Sequence, residues 1–323
     1  MESSGTEKIE LVNNQNFKHD KKRIKSLEKK ESRIAFLFVS IKIVGFLIFT
    51  LIPVFIAIIY SFSRMNPFKY PELIFNYLGD DSFWNGFNNY SELFTNKLYS
   101  AQFLKAIVNT LVNVISVPIG MFLGMVLAMV LTKKTVKYKP LFRILIYMPV
   151  VASAVATGFI WRYMFETEYG LLEKVFHFNV NWFSDEHLTR IAIIIKNSWG
   201  SMGRSMILYL AAMLAISPSY YEAAEIDGAN SIQQFFKITF PLVSPTTFYL
   251  LVMGVIGHLQ SYNDSQIFAP ESQGSKTVVW FIWNYGIKQH NYGLAAAASV
   301  LLAIFIMALT ILQFKLNDSR KLR

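Results

Sequence analysis

The residues of this sequence that could do chemistry are polar side chains within apolar stretches, in no arrangement typical of catalysis. The sequence has no Gly-x-x-x-x-Gly-Lys-Ser/Thr phosphate loop, no His-Glu-x-x-His motif and no spacing typical of a Ser/His/Asp triad. It has no cysteine, which excludes thiolate metal sites and cysteine nucleophiles. His177 and His187 share no helical register and do not indicate a metal site. We therefore predict no enzyme activity, and the remaining chemistry is the passage of a solute.

Polar residues inside the apolar segments define a candidate solute pathway. Arg204 lies near the middle of one segment, where a charge costs about 2.5–3.5 kcal/mol and by default faces a cavity or a partner. Gln260, Asn263 and Asp264 share one face of a predicted helix and could line a path together. For His258, packing or an interhelical hydrogen bond is favoured over contact with the solute. The predicted pathway residues are Arg204, His258, Gln260, Asn263, Asp264, Asn109 and Asn113.

A second candidate site is the polar segment 217–241, which interrupts the apolar pattern. Ser219 stands three residues before Glu222, which is the spacing of a capping box and predicts the start of a short helix. Gly228 supplies the residue on which this helix can end, because glycine adopts left-handed backbone angles without a steric penalty.

The same segment predicts a second short helix. Ser231 is predicted to cap it, with Gln234 at its third position, and Pro241 is predicted to stop it. Two short helices would then meet at a glycine elbow outside the bilayer. We predict that these two short helices form a site where a soluble protein partner docks.

The elements that must position these residues are membrane-spanning helices. The chain has 323 residues, of which 53% are hydrophobic and 16% are charged. Apolar runs of about 18 residues or more recur, and each predicts a helix because lipid tolerates no exposed irregular backbone. Gly120-x-x-x-Gly124 allows another helix to approach closely. The predicted fold class is an all-α polytopic membrane protein with six transmembrane helices, at about 35–62, 104–131, 140–165, 191–216, 242–268 and 292–316.

The net charge of +10 indicates membrane topology. Basic residues concentrate before Ile41, in Lys133–Lys139 and in Lys315–Arg323, and all three clusters face the cytoplasm if the N-terminus lies inside. Residues 1–34 then form a basic cytoplasmic tail, disordered in part, and residues 317–323 form a second cytoplasmic tail. This pattern predicts the lipid bilayer, and not nucleic acid, as the partner of the basic residues.

The residues of the polar segment resemble the signature of a known family. Glu222-Ala223-Ala224, Gly228 and Ile238-Thr239-Phe240-Pro241 stand at the spacing Glu-Ala-Ala, three residues, Gly, nine residues, Ile-x-Leu-Pro. This is the signature of permease subunits of binding-protein-dependent ABC importers. Phe240 replaces the usual Leu and is also apolar. Ile226-Asp227-Gly228-Ala229 is similar to the carbohydrate branch, which is related to the maltose permease subunit.

The resemblance implies the type I ABC importer permease fold, with a transmembrane domain over residues 35–316. It implies that residues 217–241 form a cytoplasmic coupling-helix hairpin, which docks on an ATPase. The residues that the resemblance assigns to this ATPase coupling are Glu222, Ala223, Ala224, Asp227, Gly228, Ile238 and Pro241.

The resemblance also implies a set of partners in the bacterial cytoplasmic membrane. A second permease subunit would complete a heterodimer, and two ATPase subunits would use ATP and Mg beneath it. An extracellular solute-binding protein would deliver a sugar or oligosaccharide. This chain would bind no cofactor itself, and both of its termini would be cytoplasmic.

Several alternatives stay open at the level of the sequence. The same machinery could carry a sugar phosphate or a polyol, or the chain could be an ion-coupled secondary carrier, a receptor or a scaffold. Arg204 could pair with Asp264 or with a neighbouring subunit, or contact the substrate directly. An unpaired Arg204 facing the cavity would favour an anionic sugar such as a uronate or a sugar phosphate. Phe268–Gly274 stands where family members often carry Thr-x-Gly-Gly-Pro. Because of this difference, the resemblance does not predict the structure of the outer gate or the exact substrate.

Overall fold

The described part of the protein is helical. The computed structural model describes Ser32 and residues 35–71, 76–133, 135–177 and 180–321, the side chains of 319–321 excepted. Apart from Ser32, the predicted tail of residues 1–34 lies outside the described residues, as do residues 322–323. Within the described ranges, the sole extended pairing is one isolated antiparallel bridge between Ser63 and Trp84. The predicted all-α class is confirmed.

The chain divides into two compact units, residues 1–59 and 60–323. An apolar helix, α1, spans Ala35–Ser61 and so begins in the first unit. Within it a π-helical turn covers Leu47–Leu51. Pro53 follows this turn, and the wider turn accommodates a residue that cannot donate a backbone hydrogen bond.

The second unit consists of helices joined by short connections. In chain order they are α2 Asn88–Thr95, α3 Lys97–Asn113, α4 Ser116–Thr132, α5 Lys139–Val151, α6 Ala154–Met164, α7 Leu171–Phe176, α8 Glu186–Leu214, α9 Pro218–Ile226, α10 Ser231–Leu242, α11 Ser244–Leu259, α12 Val278–Trp283 and α13 Tyr292–Lys321.

The helices account for up to six membrane spans. Among the described residues, three helical stretches are individually long and apolar enough to cross a membrane: Ala35–Ser61, Lys97–Thr132 and Tyr292–Asp318. Three pairs pass the same test only together, and each is bent: α5 with α6 by 100°, α8 with α9 by 69°, and α10 with α11 by 62°. The predicted number of six is reached if each bent pair makes one span.

Besides the two-residue turn that divides the helix predicted at 104–131 into α3 and α4, two predicted helices are interrupted in the structure. The helix predicted at 140–165 breaks at Ala152, which is extended, and the Ser153 side chain accepts a hydrogen bond from the Val155 N–H to start α6. The helix predicted at 242–268 ends at Leu259, and Asp264–Phe268 forms a separate π-helical turn. The second break changes which polar residues can share a face.

Close packing of α4 on α8 forms the largest part of the described core. A Cβ atom built on Gly120 would lie 1.9 Å from Ser201 Oγ, and one built on Gly124 would lie 2.5 Å from Ser205 Cβ. These separations are far inside van der Waals contact, so the two backbones approach this closely only because both positions are glycine. The close helix approach that the Gly120-x-x-x-Gly124 spacing predicts is confirmed.

The start of α13 is held against the turn that follows α1. Asn89 Nδ2 donates hydrogen bonds to the backbone oxygens of Ser61 and Ser63, at 2.9 and 2.8 Å. A Cβ atom built on Gly293 would lie 2.3 Å from Ser63 O. The Tyr292 and Gly293 N–H groups bond to Met65 O, at 3.1 and 3.3 Å, and anchor the start of α13 through its backbone. The close approach leaves no room for a side chain at position 293.

We expect Gly124→Ala to destabilise the protein by about 1–3 kcal/mol, because the added methyl group overpacks the interface between α4 and α8. Gly200→Ala is the matched control on α8, since no atom lies within 4 Å of a Cβ built there. It should be neutral or slightly stabilising, because alanine is the better helix former. The measurement is the thermal unfolding of the purified full chain in detergent. Equal effects of the two changes would contradict the packing account.

Candidate functional site

A polar cavity of about 440 Å³ lies between α4, α8, α11 and the loop that follows α11. Its volume is within the range of small-molecule sites, about 300–1,000 Å³. Amide, hydroxyl and aromatic groups line it together with small and apolar residues. The lining residues are Val117, Met121, Asn197, Ser201, Arg204, Ser205, Tyr249, Leu250, Met253, Gly254, Gly257, His258, Gln260, Ser261, Tyr262 and Asn263.

Four of the predicted pathway residues line this cavity: Arg204, His258, Gln260 and Asn263. Arg204 lies on α8 and is exposed in the chain as described. The His258 ring contacts Gly254 O through Nδ1 at 2.8 Å, with Nδ1 donating, since a carbonyl oxygen only accepts. This bond within α11 orients the ring and leaves Nε2 as the group that a solute could meet.

Asp264 lies in a buried ion pair outside the lining of the cavity. Its carboxylate is 2% exposed and bonds to Lys196 Nζ through Oδ1. Asn197 Nδ2 and Ser261 Oγ donate to Oδ2, at 2.9 and 3.2 Å. The pair between Arg204 and Asp264 that the sequence left open therefore does not form. Because the Asp264 charge is balanced by Lys196, it does not neutralise Arg204.

The break of α11 at Leu259 explains this arrangement. A continuous helix would have put Gln260, Asn263 and Asp264 on one face, and that prediction is wrong. After the break, Gln260 and Asn263 face the cavity, whereas Asp264 begins the π-helical turn and is directed into the packed interior.

Asn109 and Asn113 also lie in packed structure, and the structure does not place them on the cavity. Asn113 Oδ1 accepts a hydrogen bond from Asn197 Nδ2 at 3.1 Å and so extends the network of Asp264. Asn109 Nδ2 donates to the backbone oxygens of Gln273 and Lys276, both at 2.8 Å. Both asparagines serve to hold other parts of the chain.

The loop held by Asn109 contains further buried polar groups. Arg190 Nε donates to Asn109 Oδ1 at 2.8 Å, which fixes the orientation of the amide. Lys276 Nζ donates to the backbone oxygens of Ser265 and Pro270. Burial of Lys276 lowers the pKa of its ammonium group, and the nearby Glu271 carboxylate opposes that shift. The loop is thus fixed by bonds to its backbone.

Lys196, Asn197 and Arg190 are the polar residues of this region that the sequence did not single out as a site. A cation inside an apolar run indicates a buried partner. The sequence offers two cations, Lys196 and Arg204, for the one anion Asp264. Spacing along the chain does not decide between them, because the choice depends on how α8 is rotated against the turn at 264–268.

The polar segment 217–241 forms the second candidate site, and α9 is its first helix. Ser217 is the N-cap and Pro218 is the first helical residue. This start places Tyr220 at the third position, so the predicted capping box of Ser219 with Glu222 is wrong. Ser219 Oγ lies 2.8 Å from Ser217 Oγ instead. Glu222 is exposed and carries no capping bond, so its carboxylate is available to a partner.

The end of α9 is the glycine elbow that the sequence predicts. Gly228 has a φ of +79°, in the left-handed region. The Gly228 N–H bonds to Glu225 O and the Ala229 N–H bonds to Ala224 O, at 3.0 and 2.9 Å. This pair of bonds is a Schellman motif, which satisfies carbonyl groups that would be unpaired at the helix end. The chain turns sharply here while its backbone remains hydrogen-bonded.

The second helix, α10, is capped one residue earlier than predicted and extends further. The capping box consists of Asn230 and Gln233, and not of Ser231 and Gln234. The helix passes through Pro241 and ends at Leu242. A π-helical turn directly before the proline widens the backbone, which relieves the clash that proline causes in a regular helix.

The two short helices present apolar side chains to solvent. Ile226 at the elbow is 87% exposed and Ile232 at the start of α10 is 70% exposed. Behind them a groove of about 1150 Å³ separates the segment from the ends of α4 and α8, and Glu222 lies on its wall. The Tyr221 hydroxyl and Thr239 Oγ1 lie 2.9 Å apart and join the two helices. The exposed Ile226 and Ile232 side chains next to the Glu222 carboxylate form a surface suited to docking a protein partner.

The remaining residues assigned to the segment vary in exposure. Ala223, Asp227 and Pro241 are exposed, whereas Ala224 and Ile238 are partly buried. Across the described ranges of the chain, no three His, Asp or Glu side chains come together as a metal site would require.

Comparisons with known proteins identify the family of the chain. Residues 116–321 match the family described as "Binding-protein-dependent transport system inner membrane component". The arabinooligosaccharides transport system permease protein AraP of Bacillus subtilis (strain 168) is 30% identical over 296 residues, which cover 88% of this chain and 89% of that protein.

Two further similarities extend over most of the chain. The sn-glycerol-3-phosphate transport system permease protein UgpA of Rhizobium meliloti (strain 1021) is 28% identical over 89% of this chain and 95% of its own length. A chain of a bacterial ABC transporter that imports the acidic polysaccharide alginate has a similar fold, with a TM-score of 0.73 at 24% identity. That similarity covers 91% of this chain and 98% of the other.

We predict that Asp264→Ala destabilises the protein by about 3–5 kcal/mol, because it leaves the Lys196 ammonium buried without its counter-ion. The double variant Lys196→Met with Asp264→Leu should recover most of that loss, since it removes both charges and fills the space. Thermal unfolding of wild type, Asp264→Ala and the double variant in detergent measures the loss and its recovery. A double variant as unstable as Asp264→Ala would contradict the ion-pair assignment.

Proposed function

The chain belongs to the family of binding-protein-dependent transport system inner membrane components, and from that premise we propose that it carries a sugar or oligosaccharide inward as the permease subunit of an ABC importer. ATP hydrolysis in partner subunits drives the transport. The polar segment 217–241 is called the docking segment below. The observation that carries the proposal is that both helices of this segment continue directly into helices that line the cavity.

The connection between the two sites is direct. Helix α8 carries Arg204 of the cavity and, after a bend of 69°, leads into α9 of the docking segment. Helix α10 leads through a bend of 62° into α11, which carries His258. A push on the segment is therefore transmitted to both walls of the cavity through continuous backbone. Rigid-body motion of this kind changes the side from which a central cavity is open.

The chemistry of the cavity supports a polyhydroxylated solute. Gln260 and Asn263 offer amides that both donate and accept, and Ser201 offers a hydroxyl group. The rings of Tyr249 and Tyr262 lie in the same lining. The similarity to the arabinooligosaccharides transport permease also supports a sugar as the solute. The similarity to the glycerol-3-phosphate permease supports the alternative, in which the same importer carries a phosphorylated solute.

The full importer contains further subunits in this proposal. A second permease subunit closes the cavity from the opposite side, and two ATPase subunits that use ATP and Mg bind the docking segments. An extracellular solute-binding protein delivers the sugar. The chain is a multi-pass protein of the bacterial cytoplasmic membrane with both termini in the cytoplasm, because the basic clusters then lie inside. It carries no catalytic group of its own in this scheme.

The docking segment transmits force through a few contacts. The Glu222 carboxylate accepts charged hydrogen bonds from the ATPase, which are worth about 1.5–3 kcal/mol. Ile226 and Ile232 fill an apolar pocket on the same subunit, and Gly228 fixes the angle between the two helices. The Schellman motif makes the elbow rigid, so motion of the ATPase moves the segment as one piece.

We predict that Glu222→Ala lowers ATP-dependent sugar uptake about tenfold or more, because docking loses its charged hydrogen bonds. Glu168→Ala, at an exposed glutamate outside the segment, is the matched control and should leave uptake unchanged. Gly228→Val should lower uptake as well, since a β-branched residue is strained at a positive φ.

These variants are measured as uptake by proteoliposomes that contain the complete importer, with co-purification of the ATPase as a second readout. All of them should insert into the membrane in wild-type amounts. If uptake and sugar-stimulated ATP hydrolysis both survive Glu222→Ala and Gly228→Val, the coupling assignment is wrong. Uptake by this chain alone under an ion gradient, without ATPase subunits, would show a secondary carrier instead.

A further inference from the structure

The cavity carries a basic group with no acidic group to balance it. Arg204 and His258 are the basic side chains in its lining, and none of the lining residues is Asp or Glu. Asp264, which follows the lining residue Asn263, is bound by Lys196, Asn197 and Ser261, is buried, and does not itself line the cavity. The local charge around a bound solute is therefore positive.

Arg204 has no partner among the described residues of the chain. Within the ranges that the structure describes, its guanidinium group forms no ion pair and no hydrogen bond, although it lies inside a helix of 29 residues. The other cations of α8, Arg190 and Lys196, both have partners: Arg190 bonds to Glu186 and Asn109, and Lys196 bonds to Asp264 and Asn197. An intramembrane arginine is costly unless something compensates its charge. The compensation for Arg204 must then come from what enters the cavity or from a neighbouring subunit.

The shape of the Arg204 guanidinium group limits which anionic groups can balance its charge. A guanidinium fork matches the two oxygens of a carboxylate or a phosphate and binds them with parallel hydrogen bonds. The surrounding amides and hydroxyls suit a polyhydroxylated body, and about 440 Å³ leaves room for one. We propose, on the basis of the function proposed above, that the solute is an anionic sugar, and that Arg204 binds its carboxylate or phosphate group and selects it against neutral sugars.

The experiment compares matched sugars that differ in charge. The complete importer in lipid nanodiscs is titrated with di-galacturonate, with its dimethyl ester, with galactose 6-phosphate and with galactose, and binding is followed by saturation-transfer NMR. The first pair tests a carboxylate and the second a phosphate. The protein variants are Arg204→Gln, which removes the charge, and Arg204→Lys, which keeps it without the fork. Lys97→Gln, at an exposed lysine far along the chain from the cavity, is the control.

We expect wild type to bind at least one charged sugar about tenfold or more tightly than its neutral counterpart. Arg204→Gln should abolish this preference, Arg204→Lys should keep part of it, and Lys97→Gln should behave as wild type. The pair that shows the preference identifies the anionic group as a carboxylate or a phosphate. Because Arg204 is exposed, the variants should reach wild-type amounts in the membrane.

Other outcomes overturn the inference, and they separate it from the function proposed above. Equal binding of charged and neutral sugars, no binding of either, or a preference that persists in Arg204→Gln would each show that Arg204 does not select an anion. If ATP-dependent uptake of neutral oligosaccharides by proteoliposomes continues in those cases, the importer assignment stands and only the anionic substrate is rejected. Absence of ATP-dependent uptake of any sugar would reject both.

Discussion

The contact between α4 and α8 is the constraint on which the rest of the described structure depends. At Gly120 and Gly124 the two backbones lie too close for any side chain, and Ser201 and Ser205 fill the space from the other helix. This contact fixes how α8 is rotated. It therefore decides that Arg204 faces the cavity and that Lys196 meets Asp264. Both the cavity and the ion pair follow from one packing interface.

The polar residues inside the spans divide into two groups with different physical roles. Lys196, Asn197 and Asp264 satisfy one another, and they join α8 to the turn after α11. Burial of such a set is tolerated only because nearly every polar atom finds a partner. Arg204 and the Nε2 atom of His258, by contrast, have no hydrogen-bond partner in the part of the chain that the structure describes. The residues that hold the structure bind one another, whereas the residues that face the cavity keep polar groups that can bind a solute.

Much of the fold follows from the sequence because it depends on local rules. The Gly120-x-x-x-Gly124 spacing predicts a close helix contact, and Gly228 predicts a left-handed helix end, since both follow from the absence of a Cβ atom. The caps were misplaced by one or two residues, because Ser217 and Asn230 compete successfully with Ser219 and Ser231. Competition between neighbouring caps is decided by backbone geometry that the spacing does not contain.

The pathway was less predictable, because it depends on contacts between distant residues. The break of α11 at Leu259 separates Asp264 from Gln260 and Asn263, and the residues between Leu259 and Asp264 include no glycine or proline that would mark it in the sequence. Asn109 resembles a pathway residue in composition, yet its amide holds a loop more than 160 residues further along the chain. A polar residue in a span indicates a buried partner, but only the fold shows which partner it is.

The central claim is that the docking segment and the cavity wall move together, and the cysteine-free sequence allows a direct test. A single thiol introduced by Met253→Cys on α11, at an exposed residue of the cavity lining, can be labelled in the complete importer with a membrane-impermeant maleimide added from either side. The account predicts that trapping the ATPases with ATP and vanadate moves the accessible side from the cytoplasm to the exterior. Labelling that is the same with and without trapped nucleotide would contradict it.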